Sequence, residues 1–297
     1  MKTCVIFNPA ARGHKANRFR EHLSSLSAQC ALKPTCAPGA GRALAAEAVR
    51  EGFELIVAAG GDGTLNEVLN GIGDVPEGYT RACLGVLPLG TINVFARELG
   101  MPTGLEAAWD VLQKGRETQI DLPEAEFTGA VGKTERRGFA QMAGAGLDSR
   151  AIELVDLEQK KRIGGLAYVV AGFKAIRETK AQIVATDGQQ TVAGELVLIG
   201  NGRFYGGSYE LFPGADLRDG LLEVSIFPRA GLGSLVRCGW GLLLKQLYTT
   251  GGAKHFRAAS VQLYSASEIP FHVEGENAGR LPVRFSIRPK ALRVITV

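Results

Sequence analysis

The sequence predicts an α/β domain followed by a largely antiparallel β domain, and three observations predict it. Up to about residue 122, short apolar runs alternate with segments whose apolar residues recur at helical spacing. From about residue 123 the rhythm changes to short alternating runs, the pattern of strands with one solvated face. Within the first part, Leu55–Gly71 reads as a buried strand, a glycine-rich turn and the start of a helix. With 297 residues, 45% of them hydrophobic and 22% charged, the chain can fill one large or two modest domains, and a disordered chain is excluded.

In chain order, Val5–Phe7 is expected as a strand, Asn17–Leu26 as a helix, Ala31–Thr35 as a strand and Arg42–Arg50 as a helix. Leu55–Ala59, apolar throughout, suits a strand covered on both faces. Leu65, Val68, Leu69 and Ile72 then mark a helix, Leu84–Leu87 a strand, and Ile92–Leu99 and Leu105–Gln113 helices. The β part is expected at Gly138–Met142, Ala181–Thr186, Glu195–Ile199, Leu221–Phe227, Val261–Tyr264 and Val283–Ile287. Helical insertions are expected near Arg150–Thr179 and Leu232–Tyr248.

A net charge of +4 is mildly basic; it suits phosphate ligands or an anionic membrane and is too weak to argue for nucleic acid. Five scattered cysteines without a C-x-x-C pair read as reduced thiols, with a cytoplasmic location the expectation and zinc not expected. The apolar run after Met1 is too short for a signal peptide, and no apolar stretch approaches the length of a membrane span.

The chemistry concentrates in the glycine turns. Gly60, Gly61 and Gly63 allow close backbone approach to a ligand, and the following helix aims free N–H groups and partial positive charge at it. That is an anion site, with phosphate as the expected anion; a tight turn in any α/β domain is the alternative. Asp62 inside the turn calls for a cation or a hydroxyl nearby. A second glycine turn, Pro88-Leu89-Gly90-Thr91-Ile92-Asn93, and a third, Asn8-Pro9-Ala10-Ala11-Arg12-Gly13, each follow an expected strand. Loops at the C-terminal ends of neighbouring parallel strands lie side by side, so Thr64, Thr91 and Asn8 can converge on one phosphate chain. No G-x-x-x-x-G-K-[ST] motif, protein-kinase signature or G-x-G-x-x-G after the first strand is present.

Asn8-Pro9, Gly60-Gly61-Asp62-Gly63-Thr64-Leu65-Asn66-Glu67-Val68 and Pro88-Leu89-Gly90-Thr91-x-Asn93 resemble the diacylglycerol kinase catalytic family, which includes sphingosine and ceramide kinases. The resemblance continues through Gly144–Asp148, Gly200-Asn201-Gly202, Pro213–Leu222 and Glu274-Gly275-Glu276, nearly the whole chain. NAD kinases share the G-G-D-G-T turn, but Pro88–Asn93 departs from their later loop. The resemblance implies an α/β nucleotide-binding domain (1–122, with residues from about 290 to 297 returning to it) and a C-terminal β-sandwich (123–289), with ATP between them. It implies nucleotide contacts from Gly60, Gly61, Asp62, Gly63, Thr64, Leu65, Asn66, Thr91, Thr35 and Asn8; Thr35 reads equally as a strand-end hydroxyl and Asn8 as a turn residue.

Asp216-Leu217-Arg218-Asp219-Gly220-Leu221 sets hard oxygen ligands in a tight loop, which suits magnesium or calcium, or forms an ordinary hairpin turn. The resemblance places Mg2+ on the Asp219 carboxylate and the carbonyls of Asp216 and Leu221, while Val94 stands where many relatives carry Asp. It makes Glu276 the proton acceptor, the alternative being a solvated turn residue, and His272 reads as a strand histidine. Asp148, expected after a glycine-rich turn (Gly144-Ala145-Gly146) and opening a helix, caps that helix, binds a lipid head group, or does both. Ile163–Ala171 is apolar enough for an acyl pocket, and Leu232–Tyr248 for a membrane-facing stripe; core packing explains either.

The expected function is ATP- and magnesium-dependent phosphorylation of a lipid hydroxyl, on diacylglycerol, ceramide or a similar lipid. The expected partners are a lipid at a membrane surface, reached by peripheral association through Lys160, Lys161, Arg162, Lys254 and Arg257, and no nucleic acid. A homodimer is left open. An enzyme with a soluble acceptor, as in NAD kinases, and a nucleotide-responsive lipid binder without turnover are the alternatives.

Overall fold

A computed structural model describes residues 1–9, 14–21, 29–154, 181–229 and 252–297, with isolated positions between 231 and 241. The expected helix over Leu232–Tyr248, the acyl-pocket stretch Ile163–Ala171, the basic run Lys160–Arg162 and the loop residues Ala10–Gly13 lie wholly or mostly outside the described residues.

The first part alternates as expected. Strands β1 (Thr3–Phe7), β2 (Ala31–Pro34), β3 (Leu55–Gly60) and β4 (Cys83–Pro88) lie parallel in the order β2-β1-β3-β4. Every residue of β1, β3 and β4 is buried, which is why these runs are continuously apolar. Helices α1 (His14–Glu21), α2 (Ala40–Arg50), α3 (Asp62–Gly73), α4 (Gly78–Arg81), α5 (Val94–Glu98) and α6 (Leu105–Lys114) accompany them. Cys4, Cys30, Cys36 and Cys83 are free thiols.

The second part is built on two sheets. Strands β5 (Arg116–Thr128), β6 (Thr134–Gly138), β8 (Ile183–Thr186), β9 (Thr191–Gly194), β15 (Ser260–Tyr264) and β18 (Val283–Thr296) extend the sheet of β1–β4. A separate six-stranded sheet runs β14-β13-β10-β7-β16-β17, with β7 Met142–Gly146, β10 Leu196–Gly200, β13 Leu222–Phe227, β14 Lys254–Ala258, β16 Pro270–Val273 and β17 Glu276–Arg280. A short pair, β11 (Phe204–Tyr205) and β12 (Tyr209–Glu210), stands apart. Phe127, Ile183, Leu263 and Phe285 from one sheet meet Ala145, Ile199, Val224 and Phe271 from the other in one buried cluster, the core of a sandwich. Burying each large apolar side chain is worth about 1.5–3 kcal/mol.

The expected boundary at residues 122–123 falls inside β5. This strand pairs with β18 along nearly its whole length, and β18 also lies parallel to β4 at Val294 opposite Leu84. One sheet therefore runs through both parts. At the irregularity of β18 between Arg288 and Leu292, buried Asp121 accepts the Lys290 N–H at 2.7 Å and the Gly220 N–H at 2.7 Å. A carboxylate fastens the joint where a strand ladder would leave N–H groups unpaired.

The structure corrects three readings near the site. The strand expected at Gly138–Met142 is the connection between β6 and β7, and the glycines at 144–146 are strand, not turn. A Cβ on Gly144 would lie 2.6 Å from Asp148 Oδ2 and 2.7 Å from His272 Nε2, so glycine serves packing there and misleads a reading of glycine as turn. The helix expected from Ile92 begins at Val94, after Asn93 at φ 53°.

Candidate active site

The glycine loop sits where buried β3 ends and α3 begins. Gly61, at φ −97° and ψ −172°, is the residue before the helix, so Asp62, Gly63 and Thr64 form its first turn, where N–H groups have no intrahelical acceptor. A Cβ on Gly60 would lie 2.6 Å from the Cβ of Thr64. On Gly90 it would lie 2.5 Å from the Cα of Gly61, whereas on Gly61 it would meet only the Cα of Gly90, at 3.6 Å. The loops after β3 and β4 touch backbone to backbone, and Gly90 permits it, while Gly60 makes room for the Thr64 side chain. The Gly60 carbonyl accepts the N–H groups of Leu89 and Gly90, each at 3.0 Å.

Two side chains lock the second loop. Asn93 donates from Nδ2 to the Gly90 carbonyl at 2.6 Å and accepts the Gly90 N–H at 3.1 Å, closing the loop on itself. The backbone N–H groups of Phe95, Val94 and Asn93, at the start of α5, favour the charged form of Asp62 across the two loops. Burial outweighs them and pushes its carboxyl above the usual carboxylate range. Val94, where the resemblance implies an acidic residue, acts on Asp62 only through its backbone N–H. Ile92, beside Thr91, is exposed, as is Thr91 itself.

Other expected nucleotide residues divide. Leu65 is buried, so only its backbone belongs to the loop. Asn66 is buried with both amide ends engaged: Nδ2 donates to the Gly138 carbonyl at 2.9 Å and Oδ1 accepts from Arg137 Nε at 3.0 Å. Together with Asn70, which exchanges hydrogen bonds with Gly138 at 2.8 and 2.9 Å, it bolts α3 to the end of β6. Asn8 follows β1 and is exposed. Half-buried Thr35 follows β2, and its N–H donates to the Phe7 carbonyl at 2.8 Å. Glu67, assigned no role from sequence, accepts the N–H groups of Gly39 and Gly41 at 2.8 Å each and so fixes the entry to α2.

Facing the first loop is the hairpin between β16 and β17, whose two linking residues, Glu274 and Gly275, both have positive φ (51° and 75°). Glu276 Oε1 would lie 2.8 Å from a Cβ on Gly63, which places its carboxylate against the first turn of α3. Arg137 grips the other oxygen at 2.8 Å while holding Asn66 with Nε. Glu274 turns inward: its Oε1 accepts the N–H groups of Ala140 and Gln141, each at 2.7 Å. Burial of this carboxyl, with Asp62 adding to it, pushes it up to about 7. Two carboxyls raised in this way beside a glycine turn that opens a helix are a functional-site pattern.

Asp148 lies in the first turn of α7 (Leu147–Leu154); its Oδ1 accepts the Ser149 N–H at 2.7 Å and its Oδ2 lies 2.6 Å from His272 Nε2.

In the loop read as a magnesium site, the carboxylates are engaged by protein groups. The Asp219 carboxylate accepts the Leu221 N–H at 2.9 Å and is paired with Arg257, which also reaches Glu223 at 2.9 Å. Asp216 Oδ1 accepts the Arg218 N–H at 3.0 Å. Among the described residues no group of three His, Cys, Asp or Glu could hold a metal ion. The Arg257 guanidinium is paired with the carboxylate that the resemblance gives to magnesium, and no chemical step is assigned to this loop.

Residues 2–125 match the diacylglycerol kinase catalytic domain, and residues 141–296 match the YegS C-terminal NAD kinase beta sandwich-like domain. A diacylglycerol kinase of Staphylococcus saprophyticus is 32% identical over 256 residues, covering 85% of this chain and 80% of the relative. One from Staphylococcus aureus is 31% identical over 249 residues, covering 81% and 74%. In fold, the chain is similar to a crystal structure of a diacylglycerol kinase from Bacillus anthracis (TM-score 0.77, 23% identity, covering 100% of this chain and 97% of that one). A yeast NADH kinase complexed with NADH shares the fold more distantly (TM-score 0.57, 8% identity, 100% and 84% covered).

Proposed function

The chain belongs to the diacylglycerol kinase catalytic family and is a lipid kinase; from that premise we propose that it transfers the γ-phosphoryl group of ATP to the hydroxyl of diacylglycerol or a similar neutral lipid such as ceramide. The observation that carries this reading is the Glu276 carboxylate held by Arg137 against the first turn of α3. Phosphoryl transfer needs an anion cradle, a group to take the acceptor proton, and little else from the protein. The N–H groups of the first turn of α3 and the paired loops of Gly60 and Gly90 supply the cradle. Glu276 takes the proton from the lipid hydroxyl as the new P–O bond forms.

Asp148 orients the acceptor from the opposite strand end. A divalent cation bound with ATP would supply neutralisation of the phosphate charge. Among the described residues no helix is long and apolar enough to cross a membrane. The lipid is met by peripheral association, supported by the mildly basic charge of the chain and by exposed Lys254.

Incubation of the purified protein with labelled ATP and a panel of diacylglycerol, ceramide, sphingosine, phosphatidylglycerol and NAD in detergent micelles tests this. Label in diacylglycerol or ceramide is the expected result. Label in NAD alone would overturn the acceptor assignment. The same reaction without magnesium, and with other nucleotides in place of ATP, tests the cofactors.

A further inference from the structure

We propose that His272 is a positioning residue: its ring ties the carboxylate of Asp148 to the turn that carries Glu276, an inference that deepens the kinase reading above. His272 Nε2 lies 2.6 Å from Asp148 Oδ2, and His272 Nδ1 lies 3.3 Å from the backbone nitrogen of Gly275. An amide N–H can only donate, so Nδ1 is the bare nitrogen. The ring proton then sits on Nε2 and is donated to Asp148. One neutral tautomer satisfies both partners, and no other does.

Three features show that the fold makes room for this link. The ladder between β16 and β17 shifts register between Phe271 and His272, which re-aims the His272 side chain. On the neighbouring strand, Gly144 leaves empty the space where a Cβ would crowd both Asp148 Oδ2 and His272 Nε2. The side chains of the pair are 4% and 14% exposed, so the hydrogen bond is shielded from water. The ring ends on the N–H of Gly275, the second of two successive positive-φ residues and the neighbour of Glu276. Glu274 at φ 51° is in a conformation that a non-glycine residue adopts only when its surroundings enforce it. The His272 acceptor is one such constraint, and the Glu274 carboxylate on Ala140 and Gln141 is another.

Two variants separate the two ends of the ring. In His272→Gln the side-chain amide donates in the place of Nε2 but offers nothing to Gly275. In His272→Asn the carboxamide oxygen takes the place of Nδ1 but cannot reach Asp148. We expect His272→Gln to lower kcat at least tenfold with the acceptor KM within twofold of wild type. We expect His272→Asn to raise the acceptor KM at least fivefold with kcat within threefold.

Equal losses in both variants, or changes in melting temperature with unchanged kcat and KM, would show a packing histidine and overturn the proposal. Imidazole nitrogen NMR on the unmodified protein gives a readout without turnover. The expected signature is the Nε2-protonated tautomer, with a Gly275 amide resonance that moves in His272→Gln and stays in His272→Asn. An Nδ1-protonated ring would sink the proposal even if both variants failed to fold. Should Glu276→Gln keep full activity while the NMR signature holds, the base assignment falls and the link between His272 and the turn stands.

Discussion

The two loops that face each other across the candidate site are held in opposite ways. The glycine loop is held by backbone and by absence: Gly90 lets the end of β4 touch the Gly61 backbone because it has no Cβ, and Gly60 leaves room for the Thr64 side chain. The hairpin turn at Glu274-Gly275 is held through side chains: the ring of nearby His272 accepts the Gly275 N–H, Glu274 accepts the backbone N–H groups of distant Ala140 and Gln141, and distant Arg137 pairs with Glu276. The first surface is suited to a ligand common to many enzymes, a phosphate chain. The second carries Glu276, the proposed proton acceptor. A rigid local cradle combined with a turn braced from several elements lets one half stay fixed while the other is re-tuned.

The largest expected effect lies on the turn. Replacing Glu276 with Gln keeps shape and loses the proton acceptor, and should lower turnover by about 10²–10⁴-fold with ATP affinity nearly unchanged. Steady-state kinetics with isothermal titration of ATP checks this. If Glu274→Gln is the inactive variant and Glu276→Gln is not, the base lies at the neighbouring carboxylate.

Next comes the glycine loop, where the structure ranks positions that look equivalent in sequence. A Cβ on Gly90 meets the Gly61 backbone, so Gly90→Ala should cost about 1–3 kcal/mol and weaken ATP binding. Gly61→Ala meets nothing closer than 3.6 Å and has a φ open to any residue, so it should fold with near wild-type stability. Denaturant melts of the two variants compare them. Equal destabilisation would refute the backbone contact between the loops.

A smaller effect concerns Glu274, whose folded-state carboxyl titrates near 7, above the unfolded value of 4.5. Between those values the folded state binds the extra proton, so stability is greatest at the acid end and declines as pH rises through about 7. Glu274→Gln keeps an oxygen for the Ala140 and Gln141 N–H groups, and should remove that slope and stabilise by about 1–2 kcal/mol at pH 8. Unfolding free energies of both proteins from pH 5 to 8 test it; parallel curves would show that Glu274 is not the source.

The smallest effect is expected at Asp219. With its carboxylate already paired to Arg257, Asp219→Asn should leave the magnesium dependence of turnover unchanged within about twofold. A clear shift in the magnesium requirement would return this loop to the role that its resemblance implied.

The sequence by itself determined the parallel α/β half, because buried strands and amphipathic helices leave periodic apolar patterns and β3, α3 and their glycine turn are contiguous. It also carried the family, since the glycine, Pro88–Asn93 and Glu274–Glu276 motifs are read residue by residue. Tertiary structure alone decided what depends on distant partners. No pattern in 116–128 announces that β5 runs through both parts, because pairing with β18 defines it. Asn66 and Asn70 look like loop or helix polar residues until Gly138 arrives beside them. The glycines at 144–146 read as a turn until Asp148 and His272 fill the space that a side chain would need. Local periodicity encodes which face of an element is buried; it holds no record of which buried polar group the opposite strand will supply.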